Sequence, residues 1–537
     1  MKDNLNIKAD CKGMDRFEII ETILGNRGID NEIEFLNITE NDLIPFENMK
    51  NLEKGFDMLY DSIFANYSKN DKILIHADVD VDGLCSYSIM YQYLVNYMPE
   101  NRIKSTINKG KVHGIEDYDL DKLHDVDLMI IVDSINDVED YCRILETGTK
   151  VLILDHHIPS KELIEFEKNI ENICLISSAN EYNNPQLSGS GVVWKFCKYF
   201  DYATLNDFSE KLIDLAMTGI IADMCDVSAD NKENRYICYK GITNIKNPAL
   251  KTFSKGYTFN GETVTYGISP LINAAMRMLK NDYVLNIFNL KDNNKIKNKI
   301  EHLKECKQQQ AEEVDKLLAI AEIKDYNKIA IAIIEDNKYN LKGLIANKIT
   351  ADIQKPLLCV SEYIKDNEHY YSGSARGTGV ENFLKDIENT ECIEFAKGHE
   401  NAFGVKIDYN NITECIEKLN NLYKDIEFEN RFNIDAEIET YQITADLIND
   451  IERISVVTGE GYKPYKFLVR LNNFQITTIK GIHIKIESGG VSFIKWNDNN
   501  IEKYANKNII VIGTLSKSVF KGKIQKHMII EEIIVED

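Results

Sequence analysis

"DKILIHADVDVDGLCSYSIM", residues 71–90, decides how the chain is read. Its centre, Asp78-Val79-Asp80-Val81-Asp82-Gly83, opens like an EF-hand calcium loop, which begins D-x-D-x-D-G. Such a loop needs a bidentate carboxylate at its twelfth position and a helix on either side. That position is Ile89, which cannot ligate, and the upstream run "KILIHA" is apolar and β-branched, the pattern of a buried strand. Three carboxylates in five residues repel one another unless a cation sits among them. The stretch therefore predicts a metal site at the carboxyl end of a strand, where open α/β sheets bind ligands.

Working outward, "DLMIIVDS" and "KVLILDHH" repeat the pattern at intervals typical of βαβ units. Four strand ends are expected to carry ligand-type residues: His76, Asp80 and Asp82; Asp133; Asp155, His156 and His157; and Asp223 in "GIIADMCDV". Strands of a parallel sheet lie about 4.8 Å apart, so these ends converge on one small volume. Imidazole with carboxylate suits manganese or a similar divalent ion. Asp80 and Asp82, roughly 6–7 Å apart on one side of an extended chain, can each hold one of two ions about 3.5–4 Å apart.

A chain of 537 residues is too long for one core and predicts three or four domains. Its composition, 44% hydrophobic and 28% charged, is globular. No apolar run can span a bilayer, the first twenty residues hold no apolar signal core, and the 11 Cys include no CxxC pair. These features predict no membrane, no zinc, no disulfide framework and a cytoplasmic protein. The net charge of −23 argues against nonspecific nucleic-acid binding by the chain as a whole. Between Arg453 and His527, however, thirteen Lys/Arg face four Asp/Glu, a net of +9 that leaves −32 elsewhere. That asymmetry predicts one module turned toward a polyanion. Residues 285–323 read as a long exposed helix, a second α/β unit starts at "KIAIAIIED", and short strands with Gly and Asn turns follow from about 435.

"HADVDVDG", "VDS", "LDHH" and "GIIAD" resemble the ordered motifs of the DHH phosphoesterase superfamily. "LSGSGVVWKF" (187–196), "ENRYICYKGI" (233–242) and "YGISPLINAAMRM" (266–278) extend the resemblance to RecJ-type single-strand-specific exonucleases. "GSARGTG" (373–379) and "KGHENAFG" (397–404) are similar to the signatures of the companion DHHA1 domain, and "GYKPYKFLV", "GIHIKI" and "FKGKIQ" have counterparts near the family's C-terminus. The resemblance covers essentially the whole chain. It departs from the family at Leu271, Met276, Lys397 and Thr458.

The resemblance implies a helical N-terminal segment (1–66), a parallel-sheet DHH catalytic domain (67–284), a connecting helix (285–325), an α/β DHHA1 domain (326–434) and an all-β OB-fold barrel (435–537). It implies a metal-dependent 5′-to-3′ exonuclease that hydrolyses single-stranded DNA to mononucleotides in repair, recombination or replication. The alternatives are a DHH phosphodiesterase for short oligonucleotides or cyclic dinucleotides, and a catalytically silent replication scaffold. Two Mn²⁺ ions are implied, with Mg²⁺ as substitute. His76, Asp80 and Asp133 would hold one; Asp82, Asp133, His156 and Asp223 would hold the other; Asp155 would orient a histidine and His157 would face the scissile phosphate. Gly373, Ser374, Arg376, Gly398, His399, Asn273 and Arg277 would grip the strand. Of Tyr462, Tyr465, Phe467, Phe474, Trp496 and Phe520, some must fill the barrel core; those that face the groove would stack bases, and Lys463, Lys466, Lys485, Lys521 and Lys523, interleaved with them, would pair with phosphates. The implied partners are single-stranded DNA and a single-strand-binding protein or helicase, with the enzyme a monomer.

Overall fold

A computed structural model of the chain describes residues 5–65, 72–110, 112–115, 118–254, 258–335, 340–365, 368–428, 432–520 and 522–536. The N-terminal segment was expected to be helical, yet it begins with strand β1 (Leu5–Ile7). The chain then builds a five-stranded sheet from β2 (Lys72–Ala77), β3 (Ile103–Ile107), β4 (Val126–Val132), β5 (Lys150–Asp155) and β6 (Ile173–Ser177). All pairs are parallel and the order is β3-β2-β4-β5-β6. The three predicted runs are β2, β4 and β5, the central strands, each apolar because both faces are covered. The flanking strands escape the sequence pattern: "IKSTI" is half polar, and "ICLIS" is too short to stand out. Strand order reverses between β2 and β4, which puts the ligand-bearing ends beside the crevice of a switch point.

The helix Asn293–Ile320 leads into a mixed six-stranded sheet. It holds β7 (Glu322–Asp325), β8 (Ala330–Ile333), β9 (Leu357–Lys365), β10 (Glu368–Arg376), β11 (Phe395–His399) and β12 (Ala402–Asp408), so it starts ahead of the expected boundary at 326. After β13 (Phe432–Ile434), which pairs in parallel with β1, comes the C-terminal sheet. Its strands are β14 (Ala436–Glu437), β15 (Phe467–Leu471), β16 (Gln475–Ile479), β17 (His483–Ser488), β18 (Val491–Lys495), β19 (Asn508–Phe520) and β20 (Lys523–Glu536), in the order β14-β15-β19-β20-β18-β17-β16. No pairing among the described residues closes it into the expected barrel. Nor is the region purely β, because the helix Ala445–Ile454 packs against it through Leu447, Ile448, Ile451 and Ile454.

One apolar core runs from Cys11 to Ile533 and joins the N-terminal helices, one face of the parallel sheet and the C-terminal sheet. The mixed sheet has cores of its own on its two faces. Of the candidate aromatics, Tyr462, Tyr465 and Phe467 fill the shared core, as some of the six were expected to, while Trp496 is exposed. Tyr462 and Tyr465 lie in the segment that leads into β15 and Phe467 opens that strand; aromatic-basic interleaving in sequence does not distinguish such a buried run from a stacking surface. Lys521 lies outside the described residues. No helix among the described residues is long and apolar enough to cross a membrane.

Candidate active site

Beyond β2 the chain turns through Asp78 and Val79 into the helix Val81–Leu94. Asp80 is its N-cap and accepts a hydrogen bond from Gly83 N at 2.9 Å, while Asp82 lies in its first turn. The expected extended spacing of these two carboxylates is therefore replaced by a helix start, whose free N–H groups and dipole favour negative charge. Asp82 is buried and accepts from Ser188 Oγ at 3.0 Å and from Ser190 N at 3.2 and 3.3 Å. Ser188 caps the helix Gly189–Thr204, so "LSGSG" serves as a clamp on Asp82.

Asp133 follows β4 with φ 60°, a left-handed conformation that Asp tolerates better than most residues, and its N–H donates to Leu154 O at 2.9 Å. Asp155 ends β5 and accepts from His156 N (2.6 Å) and from His157 Nδ1 (2.9 Å). His156 turns Nε2 toward Asp133 Oδ1 (3.3 Å) and Asp223 Oδ2 (3.6 Å). Asp223 is not at a strand end as expected. It is the C-cap of the helix Ile213–Ala222, whose residues from 213 to 221 are all buried. An apolar run that is buried all round cannot be told from a core strand by periodicity.

Ligand-type atoms within 4.8 Å of one another form three groups: Asp78, Asp80 and Asp133; Asp133, Asp155, His156 and His157; and His156, Asp223 and Cys225. Asp133 and His156 thus connect them. Asp82, held by the two serines, stands outside all three, and so does His76. Its place in the first group is taken by Asp78, two residues on and so on the same side of the strand but nearer the carboxyl end. Asp78 also receives His113 Nδ1, at 3.0 and 2.8 Å from its two oxygens.

Burial, with the charges of Asp82 and Asp80 behind it, pushes the Asp133 carboxyl well above the usual range. Burial also raises Asp82, and it raises Asp223 to about 7 with help from the Asp82 charge. His76 is pushed down to about 4 by burial. The hydrogen bond that His157 donates to Asp155 raises the histidine to about 9; Asp155 itself is held low, because the two histidines outweigh its burial. Acids this crowded are discharged by protons or by a cation. Asp133 Oδ1 is buried without a hydrogen bond. The Cys225 thiol, pushed well up by burial, stays protonated and is a poor donor. Carboxylate oxygens with one imidazole nitrogen suit hard divalent ions such as Mn²⁺ or Mg²⁺.

Asp80, Asp82, Asp223, Asn273 and Arg277 line one small cavity. Asn273 Oδ1 has no hydrogen-bond partner among the described residues, and Arg277 donates to Asn340 O. Of the two departures on this helix, Met276 is buried and Leu271 packs half-buried on the same core; neither lines the cavity. "GSARGTG" was expected as a phosphate-cradling loop, but Gly373 to Arg376 are the last residues of β10. Gly373 is there because a Cβ would lie 2.1 Å from Cys359 O on the neighbouring strand. Arg376 at the strand end donates to Asn347 Oδ1 at 2.6 Å. Burial, then the charge of Arg376, depresses Arg277, so the two guanidinium groups lie near enough for one charge to act on the other. Gly398 and His399 are exposed on β11 and make no described hydrogen bond to the acidic groups.

Ser188, Ser190, Asp78 and His113 were not singled out as site residues. The helix-start signature S-G-S-G could have flagged the two serines. Asp78 was hidden by the Asp pair beside it, and nothing in sequence marks His113.

Residues 72–220 match the model of the DHH family, N-terminal domain. A SPbeta prophage-derived protein of Bacillus subtilis, YorK, is 28% identical over 94% of each chain and carries the provisional name of a single-strand DNA-specific exonuclease. The single-stranded-DNA-specific exonuclease RecJ of the same organism is 23% identical over 100% of this chain and 70% of its own. The crystal structure of RecJ in complex with Mn²⁺ from Thermus thermophilus superposes with a TM-score of 0.74 at 18% identity, covering 100% of this chain and 80% of that one.

Proposed function

We infer that this chain, whose residues 72–220 belong to the DHH family, is a metal-dependent 5′-to-3′ exonuclease that degrades single-stranded DNA to mononucleotides. The observation that carries the reading is Asp133, shared between two groups of buried acids and imidazole at one switch point. The named activity of the relatives supports the substrate, and the fold they share supports the overall plan. We place the enzyme in the cytoplasm, in DNA repair, recombination or replication.

Asp80 and Asp133, with Asp78 beside them, would hold one divalent ion; Asp82, Asp133, His156 and Asp223 would hold the second. When bound, such a pair activates water near neutral pH and neutralises the charge that develops on phosphorus. Ser188 and Ser190 fix Asp82, and Asp155 fixes His157 by its Nδ1. That leaves His157 Nε2, on a side chain 57% exposed, to donate to a phosphate oxygen while the ring stays protonated. Arg277 and Arg376 close on the phosphates of the bound strand, their mutual repulsion relieved by the anion.

The division of the chain at 66, 284, 325 and 434 follows these roles. The C-terminal unit is read as an OB-fold. From β15 to β20, antiparallel neighbours with one parallel β18–β20 pair, and β15 and β16 separated only by residues 472–474, are what one bent first strand shared by both ends of a barrel produces; β14 adds in parallel outside β15.

End-labelled single-stranded and duplex DNA, incubated with Mn²⁺ or EDTA and sized over time, tests the proposal. Mononucleotides released only from single strands, only with metal and starting at the 5′ end are expected. Cleavage that persists in EDTA, or products of fixed longer length, would reject it.

Mn²⁺ affinity should rise with pH. Asp223 is raised to about 7, so below that pH a proton competes with the ion there, and the raised Asp82 and Asp133 add to the competition; each proton released is worth up to about tenfold in affinity per pH unit. Calorimetric titration between pH 6 and 8 checks this; a flat profile would mean that these acids are already ionised without metal. Arg376→Ala should raise KM for single-stranded DNA by about 10- to 100-fold, the ~1.5–3 kcal/mol of a charged hydrogen bond. Bound Mn²⁺ should be unchanged, and metal loss would instead make Arg376 a support of the acidic cluster.

A further inference from the structure

The charge excess of the C-terminal unit is partly neutralised where it stands. Lys463 pairs with Glu460, Lys466 with Glu531, Lys485 with Glu487 and Lys517 with Glu452. A second basic zone is not neutralised in this way. Residues 240–300 hold ten Lys/Arg and three Asp/Glu, a net of +7 in a chain of −23. Lys246, Lys251, Lys291 and Lys297 from this zone line one hollow together with Thr252 and Asn293.

All four lysines are exposed, and none forms an ion pair with a described carboxylate. The nearest acid in sequence, Asp292, spends its side chain capping the helix Asn293–Ile320 through Asn294 N and Lys295 N. Farther along that helix the lysines do pair, Lys304 with Glu301 and Lys316 with Glu313. Four like charges gathered without counter-ions repel one another, and a polyanion relieves that. The lining has no aromatic anchor, and its apolar share is that of Pro248 and the lysine stems, so it does not match the centre of a protein interface.

The hollow is also connected to the cavity that holds the acids. The helix Ser269–Arg277, which carries Asn273 and Arg277, packs on the helix Asn293–Ile320. Arg277 lies close enough to Lys307 for its charge to be felt there. Lys297 is ten residues back from Lys307, about 15 Å along the helix axis. That is roughly four to five stacked nucleotides at about 3.4 Å each.

We propose that this lysine hollow is a second phosphate-backbone contact, which holds the part of a single strand that has not yet reached the cavity of Asp80, Asp82 and Arg277. It rests on the reading of the chain as a single-strand nuclease. Each phosphate neutralised on a single strand adds about −0.7 to the slope of log affinity against log salt.

The test compares the full-length protein with its Lys251→Gln, Lys291→Gln, Lys297→Gln variant, all exposed positions where folding is insensitive to the change. Binding of oligo-dT of about four and about twenty nucleotides is followed by fluorescence anisotropy across a salt titration. For the long strand the slope should flatten by about two, three contacts at about 0.7 each, while the short strand keeps its slope. Mn²⁺-dependent cleavage of the short strand should be unchanged. Equal slopes for the long strand in the two proteins would overturn the proposal and leave the hollow to another anion. A similar loss for both strands would overturn it too, by placing the lysines at the cavity itself. If neither protein cleaves the short strand, the nuclease reading fails, whatever the slopes.

Discussion

Asp133→Asn is expected to lower Mn²⁺-dependent turnover at least ~1000-fold, roughly 4 kcal/mol of barrier, with the fold intact. The residue is shared by two of the three acid and imidazole groups, so one substitution removes a donor from both. Asparagine is the informative replacement. The backbone here has φ 60°, and Asn accepts that conformation where Ala pays for it. Any loss of activity then reports the carboxylate rather than a strained turn. Circular dichroism and the thermal midpoint should match the parent or exceed it, because a buried acid with a raised pKa has been made neutral. Near-normal turnover by this variant would refute the shared role.

Gly219→Ala should be nearly as damaging, although it touches no ligand by name. Gly219 lies in the helix Ile213–Ala222, and a Cβ there would fall 1.9 Å from Asp82 Oδ1 and 2.0 Å from Ser190 Oγ. Neither group can retreat, since Asp82 is buried and held by Ser188 and Ser190. The carboxylate must turn away. A loss of about 100-fold in activity and of at least tenfold in Mn²⁺ affinity is expected, the scale of losing a group that orients a ligand. Overpacking should cost about 1–3 kcal/mol of stability, partly offset by the better helix propensity of Ala. Parallel Mn²⁺ titration and chemical denaturation separate the two effects. An unchanged Mn²⁺ affinity would show that Asp82 is not clamped as described.

The acid-bearing centre was legible because parallel strands write themselves plainly. "KILIHA", "LMIIV" and "KVLILD" are apolar on both faces, and the residues that follow them are polar for no structural reason. What stayed hidden has specific causes. Asp223 follows a helix so deeply buried that its run looks like a strand. Asp80 caps a helix whose first turn was read as extended chain. The Gly373–Arg376 segment forms a strand because β9 and β12 flank it on both sides, and pairing partners far apart in sequence leave no local trace. Charge counting pointed to the C-terminal unit, but only coordinates reveal which lysines already have a carboxylate beside them.

The pairing of β1 with β13 sets an order of events during synthesis. Leu5–Ile7 hydrogen-bonds alongside Phe432–Ile434, and Cys11 N donates to Glu437 O close by. At about 5–20 residues per second the ribosome needs roughly 20–90 s to travel from the first of these strands to the second. For that interval the N-terminal strand has no partner edge, and the core that reaches Ile533 lacks one wall. The mixed sheet, with cores of its own, can complete itself in the meantime. A nascent chain therefore carries its acid-bearing sheet early but gains its full enclosure only near the end of translation. Exposed edge strands in that window make it a natural client for the holding factors that meet slow, long-range β pairing.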